Sequence, residues 1–371
     1  MYSQQELDDA VAAGAITAEN ANALRAFVSK QRSASIVDEE QFRLITGFND
    51  IFVALASVIL LVAVAWIGQV IGEGANLVVG NDGPSPLGGL ALAGTAWGLA
   101  TYFTAKRRMA LPSIVLLLAF AIGVMWSSFT IIALPLPDNA SDSVQGLVAA
   151  TAAAITAGAA WLHWKRFKVP ITVAVGAAAG AGIVASLVAA IFGETLTNGA
   201  MMNLMLSVVL VLGIAIFGLA MRWDGSDPAR VTRRSDVAFW LHLLAAPMIV
   251  HPVFSLLGLN DGSASVIEGL VVIAIYVALG IAALAIDRRA LLVSGLAYVL
   301  WAIADLFEEF GAIGLNIALT ALVIGSALLL LSAFWHQARH KVVTMLPSGL
   351  QQKLPDLHSL TPPAVSPAPD A

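Results

Sequence analysis

Apolar residues run along this chain in long unbroken blocks, not at the period of a half-buried strand or a surface helix. A helix crossing ~30 Å of hydrocarbon at 1.5 Å per residue needs ~20 mostly apolar residues. Ten blocks meet that requirement: approximately Ile51–Ile71, Pro86–Thr104, Leu111–Leu134, Val144–Trp164, Val169–Phe192, Ala200–Trp223, Asp236–Leu257, Ser265–Ile286, Ala290–Phe310 and Ala312–Trp335. A membrane barrel would show alternating segments of ~10 residues. The pattern predicts an all-α fold, a polytopic transmembrane helix bundle of about ten spans.

The polar connections test that reading. One set holds Lys106, Arg107 and Arg108, then Lys165, Arg166 and Lys168, then Arg222, Arg230, Arg233 and Arg234, then Arg288 and Arg289. With Arg25, Lys30, Arg32 and Arg43 before the first block and Arg339, Lys341 and Lys353 after the last, these are all 19 Lys and Arg of the chain. The opposite connections carry Glu73, Asp82, Asp138, Asp142, Glu194 and Asp261. Positive charge stays cytoplasmic, so N- and C-termini are both expected inside, which requires an even number of spans. The ninth block is the weakest, because it contains Asp305, Glu308 and Glu309. Small residues spaced by four, such as Gly94–Gly98 and Gly176–Gly180, are expected to let helices approach closely.

The ends divide the chain further. Residues 1–49 read as a cytosolic helical hairpin and an amphipathic linker helix. Leu7 and Val11 form one stripe, Gly14 is a C-cap, Thr17 caps the next helix, and Leu24, Phe27 and Val28 lie on its inner face. Residues 50–336 form the bundle. Residues 337–371 read as a cytosolic, Pro-rich disordered tail, with Pro355, Pro362, Pro363, Pro367 and Pro369 and no apolar period.

Composition removes other classes. Hydrophobic residues make up 59% of the 371 and charged residues 12%, against ~45–50% and ~25% in soluble proteins. A net charge of -5 leaves no basic stripe for nucleic acid. The absence of cysteine removes thiolate chemistry and Cys-based metal sites. No phosphate loop, zinc helix or nucleophile elbow is present, so neither an enzyme, nor a cofactor, nor a metal is expected.

The stretch Ala13-Gly14-Ala15-Ile16-Thr17 before a helix, the many spans with short basic inner turns, and the closing run Leu328 to Trp335 followed by basic residues and Leu346-Pro347 resemble a family of bacterial multi-spanning inner-membrane proteins of undefined function. The resemblance implies a multi-pass protein of the bacterial cytoplasmic (inner) membrane and brings no catalytic residues with it. The basic turns recur about every sixty residues. An array of two-span hairpins produces that spacing, and so does an inverted repeat of transporter type.

Polar groups inside the blocks are the candidates for chemistry. The seventh block holds His242, Pro247, His251 and Pro252. By helical rise His242 lies ~9 Å and His251 ~22 Å from its inner end. Pro247 and Pro252 free the carbonyls of Leu243 and Met248 and are expected to kink the helix, which should then face protein or a wet cavity. Asp305 falls at the depth of His251, with Glu308 on the same face and Glu268 on the eighth block nearby. His242, His251, Asp305, Glu268 and Glu308 are thus candidate substrate- or ion-binding residues. The alternative for the histidines is hydrogen bonding between helices with the prolines merely shaping the bundle; for Glu308 it is a solvated helix end. The functional expectation is a transporter or permease-like protein with a polar site in the outer half of spans seven to nine. The alternative is a non-catalytic membrane scaffold or regulatory component that recruits a cytosolic protein partner through residues 3–31. A membrane-embedded enzyme, with a metal beside His242 and His251, ranks third. The lipid bilayer is the one partner common to all of these.

Overall fold

The computed structural model describes residues 11–24, 48–227, 232–258, 266–309, 316–351 and 354. The chain divides into two compact units, residues 1–44 and 45–371.

In the first unit, the turn and the cap expected from sequence are formed. Gly14 adopts φ +68°, a left-handed conformation that costs a residue with a Cβ ~1–2 kcal/mol, and its N–H donates to the carbonyl of Val11 at 3.0 Å. Thr17 Oγ1 accepts from the N–H of Asn20 at 3.1 Å, satisfying one of the donors that a helix start leaves unpaired. Ala21 is buried. Leu7, Phe27, Val28 and the linker 36–47 lie outside the described residues.

In the second unit every described regular element is a helix. The helices are α1 (Phe48–Gly74), α2 (Pro86–Phe103), α3 (Ala110–Ala133), α4 (Asp142–Phe167), α5 (Ile171–Phe192) and α6 (Asn198–Gly225). They continue as α7 (Arg233–Leu256), α8 (Val266–Ile286), α9 (Ala290–Glu309), α10 (Asn316–Ala333), α11 (Trp335–Met345) and the short α12 (Ser348–Gln351). Among the described residues seven helices are long and apolar enough to cross a membrane, and eight if the pair α10–α11, bent by 76°, is one span. The chain is an integral membrane protein with a helical bundle in contact with lipid. Helices occupy all ten expected blocks, but α2, α9 and, without α11, α10 do not reach the apolar length of the others. Glycines, Thr95, Trp97 and Tyr102 dilute α2, and acids close α9.

Neighbours in sequence pack as neighbours in space. α2 lies against α1 and α3, α4 against α5, α6 against α7, and α8 against α9, while α7 also touches α5 and α9. In the first half the contacts are close because glycine removes side chains at the crossings. A methyl group on Gly89 would stand 2.6 Å from the backbone nitrogen of Ser127, and one on Gly123 would stand 2.6 Å from that of Ala93. Gly68 meets the carbonyl of Leu87, and Gly146 meets the backbone of Ala190. The expected pairs are not the ones used: Gly94, Gly98 and Gly180 have nothing within 4 Å of where a Cβ would be, and Gly176 barely touches Ala160 at 3.9 Å. Spacing by four marks a small-residue stripe, but not which side of the helix finds a neighbour. At the acidic end, Glu194 accepts from the N–H of Ser143 at 3.5 Å. Hydrogen bonds from Ser141 and Ser143 hold its carboxyl below the usual range. This clamp between α4 and α5 is therefore complete above the ordinary carboxylate range and is lost as pH falls through the lowered value.

The basic residues beyond the last span are also placed differently from expectation. Residues 337–345 continue α11, and 348–351 form α12, where a structureless tail was expected from position 337. Trp335, Arg339 and Val343 bury one face of α11. An i, i+4, i+8 stripe of two apolar residues and one arginine is a weak apolar signal, which hides the helix from a hydropathy reading. Residues 355–371 lie outside the described residues.

Gly123→Leu should lower the unfolding temperature of the detergent-solubilised protein, with a stability cost of ~1–3 kcal/mol from overpacking. Gly98→Leu should leave it unchanged. Equal losses, read by fluorescence-detected thermal denaturation, would contradict the packing described.

Candidate functional site: a buried charge network at the basic end

Alternation of the helices brings the C-terminus of α6, the N-terminus of α7, the α8–α9 turn and α11 to one end of the bundle. The turn is Asp287-Arg288-Arg289. Its geometry starts with Asp287, which takes φ +57°, while the N–H of Arg288 returns to the carbonyl of Ala283 at 2.9 Å. That is the left-handed closure of a helix C-terminus, normally given to glycine or asparagine. The three side chains leave in different directions. Asp287 Oδ1 accepts from Trp335 Nε1 at 2.7 Å and lies 3.7 Å from Arg339 Nε. Arg289 stacks over the Trp335 ring at 4.9 Å. Arg288, only 2% exposed, turns inward.

There it meets Asp224, near the end of α6. Arg288 Nε donates to Asp224 Oδ2 at 3.2 Å, and Arg288 Nη2 donates to Asp224 Oδ1, the two-pronged arrangement that suits guanidinium and carboxylate. Nη2 also reaches the carbonyl and hydroxyl of Ser235, both at 3.3 Å. His242 Nε2 lies 2.9 Å from Asp224 Oδ2. An ionised carboxylate only accepts, so His242 carries its hydrogen on Nε2. The imidazole is 1% exposed and meets the edge of Phe217 at 5.1 Å. Beside the cluster, Asp227 Oδ2 accepts from the backbone N–H and hydroxyl of Thr232 at 2.9 and 2.7 Å, closing the α6–α7 connection. Thr232 in turn caps α7 through the N–H of Arg234.

The sequence candidates are thus separated. His242 belongs to this network. His251, nine residues and half a helical turn round from it, is exposed and shares a 2.5 Å hydrogen bond through Nδ1 with the Tyr298 hydroxyl of α9. Tyr298 stacks on Phe254 at 4.4 Å. The two histidines do not form one site, so the pairing that a metal reading needs is not made; among the described residues no three ligating side chains converge. Glu268, Asp305 and Glu308 stand on the described helices α8 and α9, but their side chains lie outside the described set. α7 runs unbroken through Pro247 and Pro252. The carbonyl that Pro252 frees, on Met248, lies against Gly213 of α6, where a Cβ would stand 2.9 Å from that oxygen. It faces protein, as a freed carbonyl in a membrane must.

Sequence reasoning missed Asp224, Ser235, Arg288 and Tyr298 as site residues and read Arg288 as a loop charge. A signal was present: the charges in the basic-side turns of the first half, 106–108 and 165–168, are all positive, whereas those of the second half mix in Asp224, Asp227, Asp236 and Asp287. A second buried histidine was also missed. His163 of α4 shares a 3.3 Å hydrogen bond with Thr172 inside a box of Trp97, Phe120 and Phe167. A separate apolar cavity of 530 Å³, lined by Leu118, Met125, Phe129, Thr156 and Val175 among others, has no titratable group in its wall. No family model, curated protein or solved structure matches the chain.

Arg288→Met should cost ~3–5 kcal/mol, because it leaves the Asp224 charge buried without its cation. Asp224→Leu combined with Arg288→Met should recover more than half of that loss. Thermal denaturation of the three proteins checks this; a single variant no worse than Lys165→Met would refute the role given to Arg288.

Proposed function

We propose that this chain is a permease-like carrier, not an enzyme, of a bacterial cytoplasmic membrane. Ten spans cross the membrane and both termini face the cytosol, so that the basic end of the bundle is its inner end. The division of charge between opposite connections supports that orientation. α2 crosses despite its low apolarity because α1 and α3 flank it. The substrate, a proton, cation or small polar solute, is handled in the outer half of α7 to α9.

The observation that carries the reading is the His251–Tyr298 pair. It bridges α7 and α9 by a 2.5 Å hydrogen bond, five residues or ~8 Å from the outer end of α7. It is a polar contact between two largely apolar helices, with His251 exposed. Asp305 follows Tyr298 by seven residues, two turns further along the same stripe of α9. The network of Asp224, His242 and Arg288 closes the inner end of the same helices, so the polar pair opens away from the cytosol. A polar pair reached from the outer side while a charged network closes the inner side fits one of the two states that alternating access passes through.

The test is flux in proteoliposomes containing the purified chain, with protons, alkali cations and a panel of small solutes. His251→Ala and Asp305→Asn should each reduce the flux of the transported species about tenfold or more while leaving the protein folded. Flux of every species unchanged in both variants would refute the reading.

A further inference from the structure

The geometry points to the Asp224–His242–Arg288 cluster as a proton-binding site: a proton taken up by His242 competes with Arg288 for Asp224 and loosens the cytosolic ends of α6 and α7. The inference deepens the permease reading, from which it takes its purpose and its orientation.

The argument is one of charge and shared acceptors. Asp224 is held ionised by two N–H bonds from Arg288 and already accepts from His242 Nε2 at 2.9 Å. The added proton comes from cytosolic water, resides on Nδ1 and returns to water on release; no other bond is made or broken. The closed cluster then changes from one cation and one anion to two cations sharing one carboxylate. Both are almost fully buried, His242 at 1% exposure and Arg288 at 2%. An uncompensated buried charge is unfavourable, so the protonated cluster favours the arrangement that readmits water.

The surroundings decide which bond gives way. From α5, Ala174 and Ala177 contribute only apolar contacts to the packing around α7. From α6 come Asp224 and the edge of Phe217. In the α6–α7 connection, Asp227 is engaged by Thr232. α8 contributes the half-buried phenol Tyr276. Asp287, behind Arg288, is engaged by Trp335 and Arg339 of α11, with Arg289 over the indole and His336 on the same helix. Among the described residues the carboxylate that remains is Asp236, at the start of α7, which lies within electrostatic reach of Arg288. Two states follow. With His242 neutral, Arg288 holds Asp224 and ties the α8–α9 turn to α6 and to Ser235. With His242 protonated, the imidazolium keeps Asp224 and Arg288 moves to Asp236. Because Asp287 and Arg288 are adjacent, the same displacement is passed to α11. A bistable contact biased by one proton is how such switches work.

The chain has no cysteine, so introduced pairs report without background. Spin labels at Ser226→Cys and Thr344→Cys, both exposed positions, in the full chain in lipid nanodiscs give the distance between the end of α6 and α11. Lowering the pH from about 8 to about 5, the range over which histidine changes charge, should shift the population toward the longer distance about tenfold. A difference of one pH unit in proton affinity between the two states supports that change. His242→Gln should remove the shift, and Asp236→Asn should diminish it. As a check that needs no substitution, hydrogen exchange of the unmodified chain across 222–227 and 233–242 should accelerate on acidification, after correction for intrinsic rates. An unchanged distance and unchanged exchange in the parent protein, or an undiminished shift in folded His242→Gln, would overturn the inference. The readout uses no substrate: acid-induced opening without flux would overturn the permease reading alone, and flux with pH-insensitive ends would overturn this inference alone.

Discussion

A formal charge in hydrocarbon must reach water or be neutralised by a partner, because solvation is lost and nothing else replaces it. Most of the described cations take the first route. Arg107, Arg166 and Arg234 are exposed at helix ends, and Lys165 and Lys168 extend over the rings of Trp161 and Trp164 at 3.7 and 5.3 Å, as amphipathic side chains do at an interface. Arg288 takes the second route. It is drawn inward because Asp287 closes α8 in a left-handed turn, and one residue later the chain points into the bundle. The three residues 287–289 therefore set how α6, α7 and α11 meet.

The two halves of the bundle are held together by different means. In the first half backbone meets backbone, at Gly68, Gly88, Gly89, Gly123 and Gly146. Helices in lipid gain nothing from excluding water, so close van der Waals contact supplies the attraction. In the second half the close approach is rarer, Gly213 against Met248 being the clear case, and hydrogen-bonded charge takes its place at the basic end. Such a network is directional and sensitive to protonation, whereas a glycine crossing is neither.

Much of the architecture was legible because hydropathy is a strong signal: each of the ten apolar blocks holds a helix, and seven or eight of these are long and apolar enough to cross a membrane among the described residues. The turn at Gly14 and the cap at Thr17 were legible because their chemistry is local. What failed to read was non-local. Nothing in the spacing of Gly94 and Gly98 says that this face of α2 lacks a neighbour, while adjacent Gly88 and Gly89 are in contact. His242 and His251 share a helix and a residue type, and only the nine-residue offset hinted that they face different ways. Arg288 resembled its half-buried neighbour Arg289, and its fate was decided by Asp224, 64 residues away. α11 was concealed because its buried stripe contains Arg339.

The basic residues fall into two groups, those exposed to water at helix ends and those held in a buried network. Labelling single cysteines with a membrane-impermeant maleimide in sealed vesicles of both orientations tests that division directly. Cysteines at positions 107, 166 and 234 should react from one face of the membrane and not the other, and a conservative Ser235→Cys beside Arg288 should stay unreactive from both faces until the protein is denatured. Labelling of 107 or 234 from the opposite face, or rapid labelling at 235 in the folded protein, would contradict it.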